Sequence, residues 1–185
     1  MMPELSLNIL DIAQNSVVAG ATLTTIEISA DTAFDSLTIT ITDDGKGMTE
    51  EQVSRVTDPF YTTRTTRSVG LGVPFFKMAC ELTGGAFSIE SAVGAGTTIS
   101  AGFGLSHIDR MPLGDIAGTF TSLVGTAPEI DFLLIYSVDG RSFTADTREF
   151  REVLGGVPLN EPEVLSFIDG YIRENREECD EGVSV

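Results

Sequence analysis

The sequence predicts an α/β fold. It is a two-layer α/β sandwich, in which a mixed, largely antiparallel sheet carries helices on one face, followed by a small C-terminal α+β appendage. Three observations predict it. Residues 7–20 repeat apolar side chains at helical spacing. Residues 24–31 with 35–42, and 85–91 with 97–104, alternate apolar and polar residues with period two. A second apolar helical stretch, within 70–85, separates the two strand pairs.

The chain has 185 residues, which suits one domain of ordinary size or a domain with an appendage. Hydrophobic residues at 42% and charged residues at 21% place it among globular proteins. No apolar run approaches the length that spans a bilayer, and no basic segment opens the chain. These features predict a cytoplasmic protein without membrane attachment. The two cysteines, Cys80 and Cys179, belong to no CxxC pair, so a metal site or disulfide framework is not expected. Cys80 sits among apolar residues and is assigned to the core. Net charge is −17, with 5 basic and 12 acidic residues before His107 and 6 and 16 from it onward. Such acidity argues against nucleic acid or an anionic membrane as partner. It also means that a polyphosphate ligand needs local compensation from backbone amides, Mg²⁺ and a few cations.

Residues 7–20 read as a helix with two faces. Leu7, Leu10, Ala13 and Val17 form the predicted apolar stripe, widened by Ile9, Ile12 and Ala19. Asn8, Asp11 and Asn15 fall along the other face, with Asp11 and Asn15 one turn apart. A carboxylate and an amide so placed can orient water and complete a magnesium shell. The same pattern also suits a solvated helix face.

Residues 20–22 stop this helix, and the short link 32–34 suits an antiparallel strand pair. Asp43 ends the second strand. Gly45 and Gly47 follow it, where the chain turns sharply or a ligand approaches the backbone; a plain Asp-Gly turn reads the same way. Thr49 and Gln52 predict a capping box on a short helix, which Asp58-Pro59 ends. Residues 61–69 are polar, rich in hydroxyls and hold Arg64 and Arg67, and read as a mobile loop. Pro74 is tolerated only in a first turn, so the next helix starts near Gly72 or Val73. Free amides at such an end attract anions. Gly84-Gly85 stops that helix before the second strand pair.

Four motifs now stand in order. Residues 3–103 resemble the ATP-binding domain shared by histidine kinases, mismatch-repair MutL proteins, Hsp90 and gyrase B, the Bergerat fold. NSVVAGA (15–21) is similar to the MutL version of the first box. The resemblance implies that Asn15 holds Mg²⁺ and that Asp11, in place of the more usual glutamate, activates the attacking group. It implies that Asp43, with Gly45 and Gly47 in a DxGxG box, accepts a hydrogen bond from the adenine amino group. DPFYTT matches the kinase-type box at Phe60, with a lid running on to Val69. Thr62, Thr63 and Arg64 in that lid, and the GLG motif Gly70, Leu71 and Gly72, are implied to surround the phosphates. GAGTT, with Thr97, matches the kinases' closing motif. The short lid leans towards histidine kinases.

Residues 1–106 are thus read as a histidine kinase-like ATP-binding domain and 107–185 as a small α+β extension. In the extension a helix is expected from near Pro112 and a hairpin turning at Asp139-Gly140. A helix capped by Thr147 and a final amphipathic helix from Glu161 follow, with a frayed tail over 177–185. SHIDRMPL (106–113) resembles the phosphoacceptor box of histidine kinases, which normally precedes the ATP domain on a long helical hairpin. His107 is therefore a candidate phosphoacceptor, or else a linker histidine near a helix start. The reading as a whole is a Mg-ATP-binding signalling protein, a kinase acting on a partner protein in trans, with a homodimer compatible with it. An ATP-dependent conformational switch and a slow ATPase are the alternatives.

Overall fold

The computed structural model describes residues 2–57 and 72–185. Helix α1 (Leu5–Val18) opens the chain, followed by strands β1 (Leu23–Asp31) and β2 (Ser36–Asp43). Two helices come next, α2 (Glu50–Arg55) and α3 (Gly72–Leu82), then β3 (Phe87–Ala92) and β4 (Gly96–Gly104). The extension contributes α4 (Ile116–Thr126), β5 (Asp131–Val138), β6 (Arg141–Asp146), α5 (Thr147–Leu154) and α6 (Pro162–Asp180).

One six-stranded sheet runs through the molecule in the order β3-β4-β2-β1-β5-β6. Every neighbouring pair is antiparallel except β1 with β5. The extension therefore adds its two strands to the β1 edge of the same sheet. The β5–β6 hairpin turns at Asp139 and Gly140, both at positive φ (49° and 83°), which gives the twist that two-residue hairpins favour.

Alternation sets the two faces of the sheet. Ile26, Ile28, Leu37, Ile39, Ile41, Ile99, Ala101, Phe103, Phe132 and Leu134 are buried on one face. Helices α1, α3 and α4 supply the other side of this core through Ile9, Ile12, Phe76, Cys80, Phe120 and Leu123. Phe76 meets Phe103 at 5.7 Å between ring centroids and Phe120 meets Phe132 at 6.3 Å, each phenylalanine contributing about 1.5–3 kcal/mol by burial. The opposite face carries hydroxyls, paired across strands as Thr40 with Ser100 (3.0 Å) and Thr42 with Thr98 (3.2 Å).

The helices differ from expectation in four respects. The buried stripe of α1 is Leu5, Ile9, Ile12, Ala13 and Ser16, rotated from the expected one, and Asn8 is fully buried rather than solvated. The rotation follows from packing: α1 lies against the sheet and also between α3 and α4. Next, α4 starts at Ile116 with Asp115 as its cap, not near Pro112. The carbonyls of Pro112 and Leu113 instead accept from the Leu5 and Ser6 amides (3.0 and 2.8 Å), two of the N–H groups that a helix start leaves unpaired. In α5 the cap is Asp146, because the Thr147 hydroxyl is engaged with the Phe132 amide (2.9 Å) and Asp131 (3.1 Å). Finally, the tail is not frayed. Helix α6 runs to Asp180, Val185 is buried, and Arg110 donates to the Ser184 carbonyl at 3.0 Å. The capping box at Thr49 and Gln52 is present as expected.

Candidate functional site

Helix α1 presents Asp11 and Asn15, both half-buried, one turn apart on one flank. Gly72, the first residue of α3, abuts that flank: a Cβ there would lie 2.3 Å from the Asp11 carboxylate. Only a glycine lets the start of α3 approach the acid so closely. The start of a helix is also where unpaired amides and the positive dipole end favour an anion.

Asp43 stands where β2 ends. The Ser16 hydroxyl donates to one of its carboxylate oxygens at 2.8 Å, and the Gly45 amide donates to the other at 2.8 Å. Each oxygen so far accepts one bond and has capacity for a second, which leaves Asp43 able to receive a ligand donor. Gly45 is enclosed: a Cβ would meet Ala19 and Asp43 at 2.9 Å. The turn is tied down on both sides, by Lys46 N to Ala19 O (3.0 Å) and Gly94 N to Lys46 O (2.8 Å). Gly47 has φ +66°, and a Cβ there would fall 1.9 Å from the Ala92 carbonyl oxygen. Asp44 anchors the same turn to the start of β1, accepting from the Thr22 and Leu23 amides and from the Thr22 hydroxyl. The Leu23 amide, ahead of the Thr22 hydroxyl, holds the Asp44 carboxyl below its ordinary value.

Thr97 is the cross-strand partner of Asp43. The Ser91 hydroxyl donates to the Gly96 carbonyl (2.8 Å) and accepts from the Met48 amide (2.9 Å), so Thr97 is the donor in its 2.9 Å bond to Ser91. Two residues of this cluster were missed in the sequence. Ser16 lies off the stripe read from the sequence and is buried only on the rotated one. Gly96 sits at φ +92° with the Asp43 carbonyl oxygen 1.9 Å from where its Cβ would be. Its place in GAGTT is legible, but its contact with Asp43 comes only from the β2–β4 register.

Phe60, Thr62, Thr63, Arg64, Gly70 and Leu71 lie outside the described residues, as does the expected lid over 61–69. His107 lies in a turn just beyond β4, not on a helix. Its Nδ1 accepts from the Asp109 amide (3.1 Å), and its backbone bonds to Gly104 and Arg110. Gly104 is paired with Ser36 and Thr97 with Asp43, so His107 is at the opposite end of β4 from Asp43. Seven residues of strand separate those ends, about 23 Å. Burial pushes the Cys80 thiol up to about 11, as befits an inert core residue. Among the described residues, no group of three or more His, Cys, Asp or Glu side chains could hold a metal ion; the expected Mg²⁺ ligand, Asn15, is of another type. No helix is long and apolar enough to cross a membrane among the described residues.

Residues 2–107 match the histidine kinase-, DNA gyrase B-, and HSP90-like ATPase family, and the chain belongs to it. It carries the family's ATP-binding domain, related to that of sensor histidine kinases. Over 90 residues it is 32% identical to the heme sensor protein HssS of Staphylococcus saprophyticus subsp. saprophyticus, covering 48% of this chain and 20% of that protein. Over 93 residues it is 30% identical to the sensor histidine kinase ZraS of Salmonella typhimurium, covering 50% of this chain and 20% of that protein. The matched stretch is thus a fifth of the length of these relatives. The fold also matches the MutL ATPase domain of Aquifex aeolicus complexed with ADP, at 15% identity and a TM-score of 0.53. That match covers 84% of this chain and 70% of the other, so the likeness in fold reaches beyond residue 107 into the extension.

Proposed function

We propose that the protein is a Mg-ATP-binding signalling kinase that phosphorylates a partner protein in trans. The observation that carries this reading is the pairing of two prepared ends. Asp43 is fixed by Ser16 and Gly45 with acceptor capacity to spare, and Asp11 is pressed against Gly72 at the start of α3. In this reading Asp43 accepts from the adenine amino group, which a guanine lacks at that position. Asn15 would hold Mg²⁺ through its amide oxygen. The amides at the start of α3 would supply donors to the phosphates and offset the acidity of the protein. Asp11 accepts the proton of the attacking group, and positioning with charge stabilisation does most of the remaining work. ATP supplies the phosphoryl group when bound.

A second reading, a nucleotide-driven switch or a slow ATPase, is favoured by one contact. The extension caps α1: Pro112 and Leu113 accept from its first amides, and the Thr119 hydroxyl donates to the Ser6 carbonyl at 3.3 Å. A displacement of α1 on binding would be passed directly to residues 112–119.

Calorimetry with Mg-ATP and Mg-GTP tests the shared step, with adenine preferred over guanine as the expected result. Capture of partners with ATP present, followed by transfer of labelled phosphate, separates the readings. Label on a captured protein supports the kinase, free phosphate the ATPase, and binding without turnover the switch.

A further inference from the structure

Among the described residues, the buried side-chain polar atoms without a hydrogen-bond partner belong to two residues, Asn8 and Thr24. Both are fully buried. They are not scattered. Thr24 is the cross-strand partner of Asp43, at one end of the site. Asn8 is on α1, three residues before Asp11 and seven before Asn15, at the other end. Seven residues of helix are nearly two whole turns, so Asn8 and Asn15 stand in line, about 10 Å apart along the axis, with Asp11 between them. Asp11 faces Gly72, which fixes this flank as the one that meets the start of α3.

A buried amide with neither its N–H₂ nor its oxygen satisfied is costly and uncommon in a folded protein. An apolar side chain at position 8 would extend the Leu5, Ile9 and Ile12 stripe without that cost. By helical spacing Asn8 stands on the same flank as the half-buried Asp11 and Asn15, nearer the helix start. Anything reaching Asn8 along that flank has passed Asp11, so it lies at the far end of a ligand whose base is held at Asp43.

We propose that Asn8 reads the terminal phosphate, its N–H₂ donating to a γ-phosphate oxygen, and so sets the preference for ATP over ADP. This rests on the nucleotide-site reading above. Asn8 is a specificity residue in this proposal, and the adenine and the two inner phosphates are bound without it.

The test is binding, without turnover. Affinities for Mg-ADP and for a non-hydrolysable Mg-ATP analogue are measured on the full chain for wild type, Asn8→Leu and Asn8→Ala. Leucine is near in size and removes the amide; alanine serves if leucine prevents folding. The expected result is unchanged ADP affinity, with analogue affinity about tenfold weaker, the loss of one charge-assisted hydrogen bond. The apo thermal midpoint of Asn8→Leu should stay level or rise. An unchanged analogue-to-ADP ratio in both variants would overturn the proposal and leave Asn8 a purely structural asparagine. An equal loss for both nucleotides would also overturn it. If wild type binds neither nucleotide, the nucleotide-site reading itself fails, and that is seen before any variant is made.

Discussion

The two ends of the site are built differently. At Asp43 a set of hydrogen bonds through Ser16, Gly45, Lys46, Gly94 and Ser91 ties the strand end, the turn and the next hairpin together, with the Thr24 hydroxyl across the strand left unpaired. At Asp11 the acid and Asn15 stand half-buried on a helix flank, Gly72 presses close, and the Asn8 amide is unpaired. The first end is held by hydrogen bonds between β2, the turn and α1. The second is held by close packing of α1 against the start of α3. A base is the same in every nucleotide state, whereas the terminal phosphate is the part that changes. On the reading proposed above, a hydrogen-bonded turn at one end and an unpaired amide at the other suit a protein that holds the first and responds to the second.

The largest test of this contrast breaks the hydrogen-bonded end. Gly96→Ala sets a Cβ against the Asp43 carbonyl and forces a side chain into the left-handed region. We expect a loss of about 3 kcal/mol or more in chemical denaturation, with nucleotide binding abolished. Retention of stability within 1 kcal/mol would show that the Asp43 turn is not rigid. Asp11→Asn comes next. It keeps the shape beside Gly72 and removes the base, so turnover or transfer should fall about 100-fold while Mg-ATP affinity stays within about threefold. A parallel fall in affinity would instead place Asp11 in binding.

Asp43→Ala should weaken Mg-ATP by about tenfold or more and remove the preference over GTP. It also leaves the Ser16 hydroxyl and the Gly45 amide unpaired, so a stability loss of about 1–2 kcal/mol is expected alongside. Smaller still is the acid dependence of the turn. The folded Asp44 carboxyl lies below the ordinary 3.8, chiefly through the Leu23 amide. Its contribution is therefore present above 3.8 and is lost as pH falls through the folded value. Asp44→Asn should lower the unfolding midpoint at neutral pH, by well under about 1 kcal/mol for so exposed a group, and the difference should shrink as the pH falls below 3.8. A difference that does not shrink with acid would assign the effect to packing.

The fold was legible because its signals are local. Period-two alternation marks β1, β2, β3 and β4, the Asp139-Gly140 turn marks the β5–β6 hairpin, and Thr49 with Gln52 marks the start of α2. What the sequence concealed depends on long-range packing. The stripe of α1 rotates because α3 and α4 flank it, which turns Asn8 inward and Ser16 onto Asp43. The carbonyls of Pro112 and Leu113 are spent on capping α1, so a segment that reads as a helix start stays irregular. The tail reads as frayed from its acidity, yet Arg110 reaches the Ser184 carbonyl and Val185 is buried. The candidate site could be picked out in the sequence as a set of positions, Asp11, Asn15, Asp43 and Gly72, which the fold brings to α1, the end of β2 and the start of α3. The partners that fix them could not, because Ser16 and Gly96 act only through register and packing.

The smallest effect is expected at His107, the one histidine in the chain. Its sequence neighbours suit a phosphoacceptor, but its surroundings do not: it is in an exposed turn, and its Nδ1 accepts from the Asp109 amide. It lies past the end of β4 where Gly104 pairs with Ser36, about 23 Å of strand away from Thr97 and Asp43. In-line transfer needs the imidazole nitrogen at contact distance from the γ-phosphorus. Hydrogen bonds on both sides of the turn, from the His107 amide to the Gly104 carbonyl (3.2 Å) and from the Arg110 guanidinium to the Leu105 carbonyl (2.6 Å), oppose its swinging across the sheet. Incubation of dilute protein with γ-labelled ATP should therefore leave no acid-labile, base-stable phosphate on His107, and His107→Ala should bind nucleotide as wild type does. Label that grows with protein concentration would mean transfer from a second copy and would bring the two ends of β4 together across a dimer. Label that is independent of concentration would show that the turn opens and that the distance along β4 is no barrier.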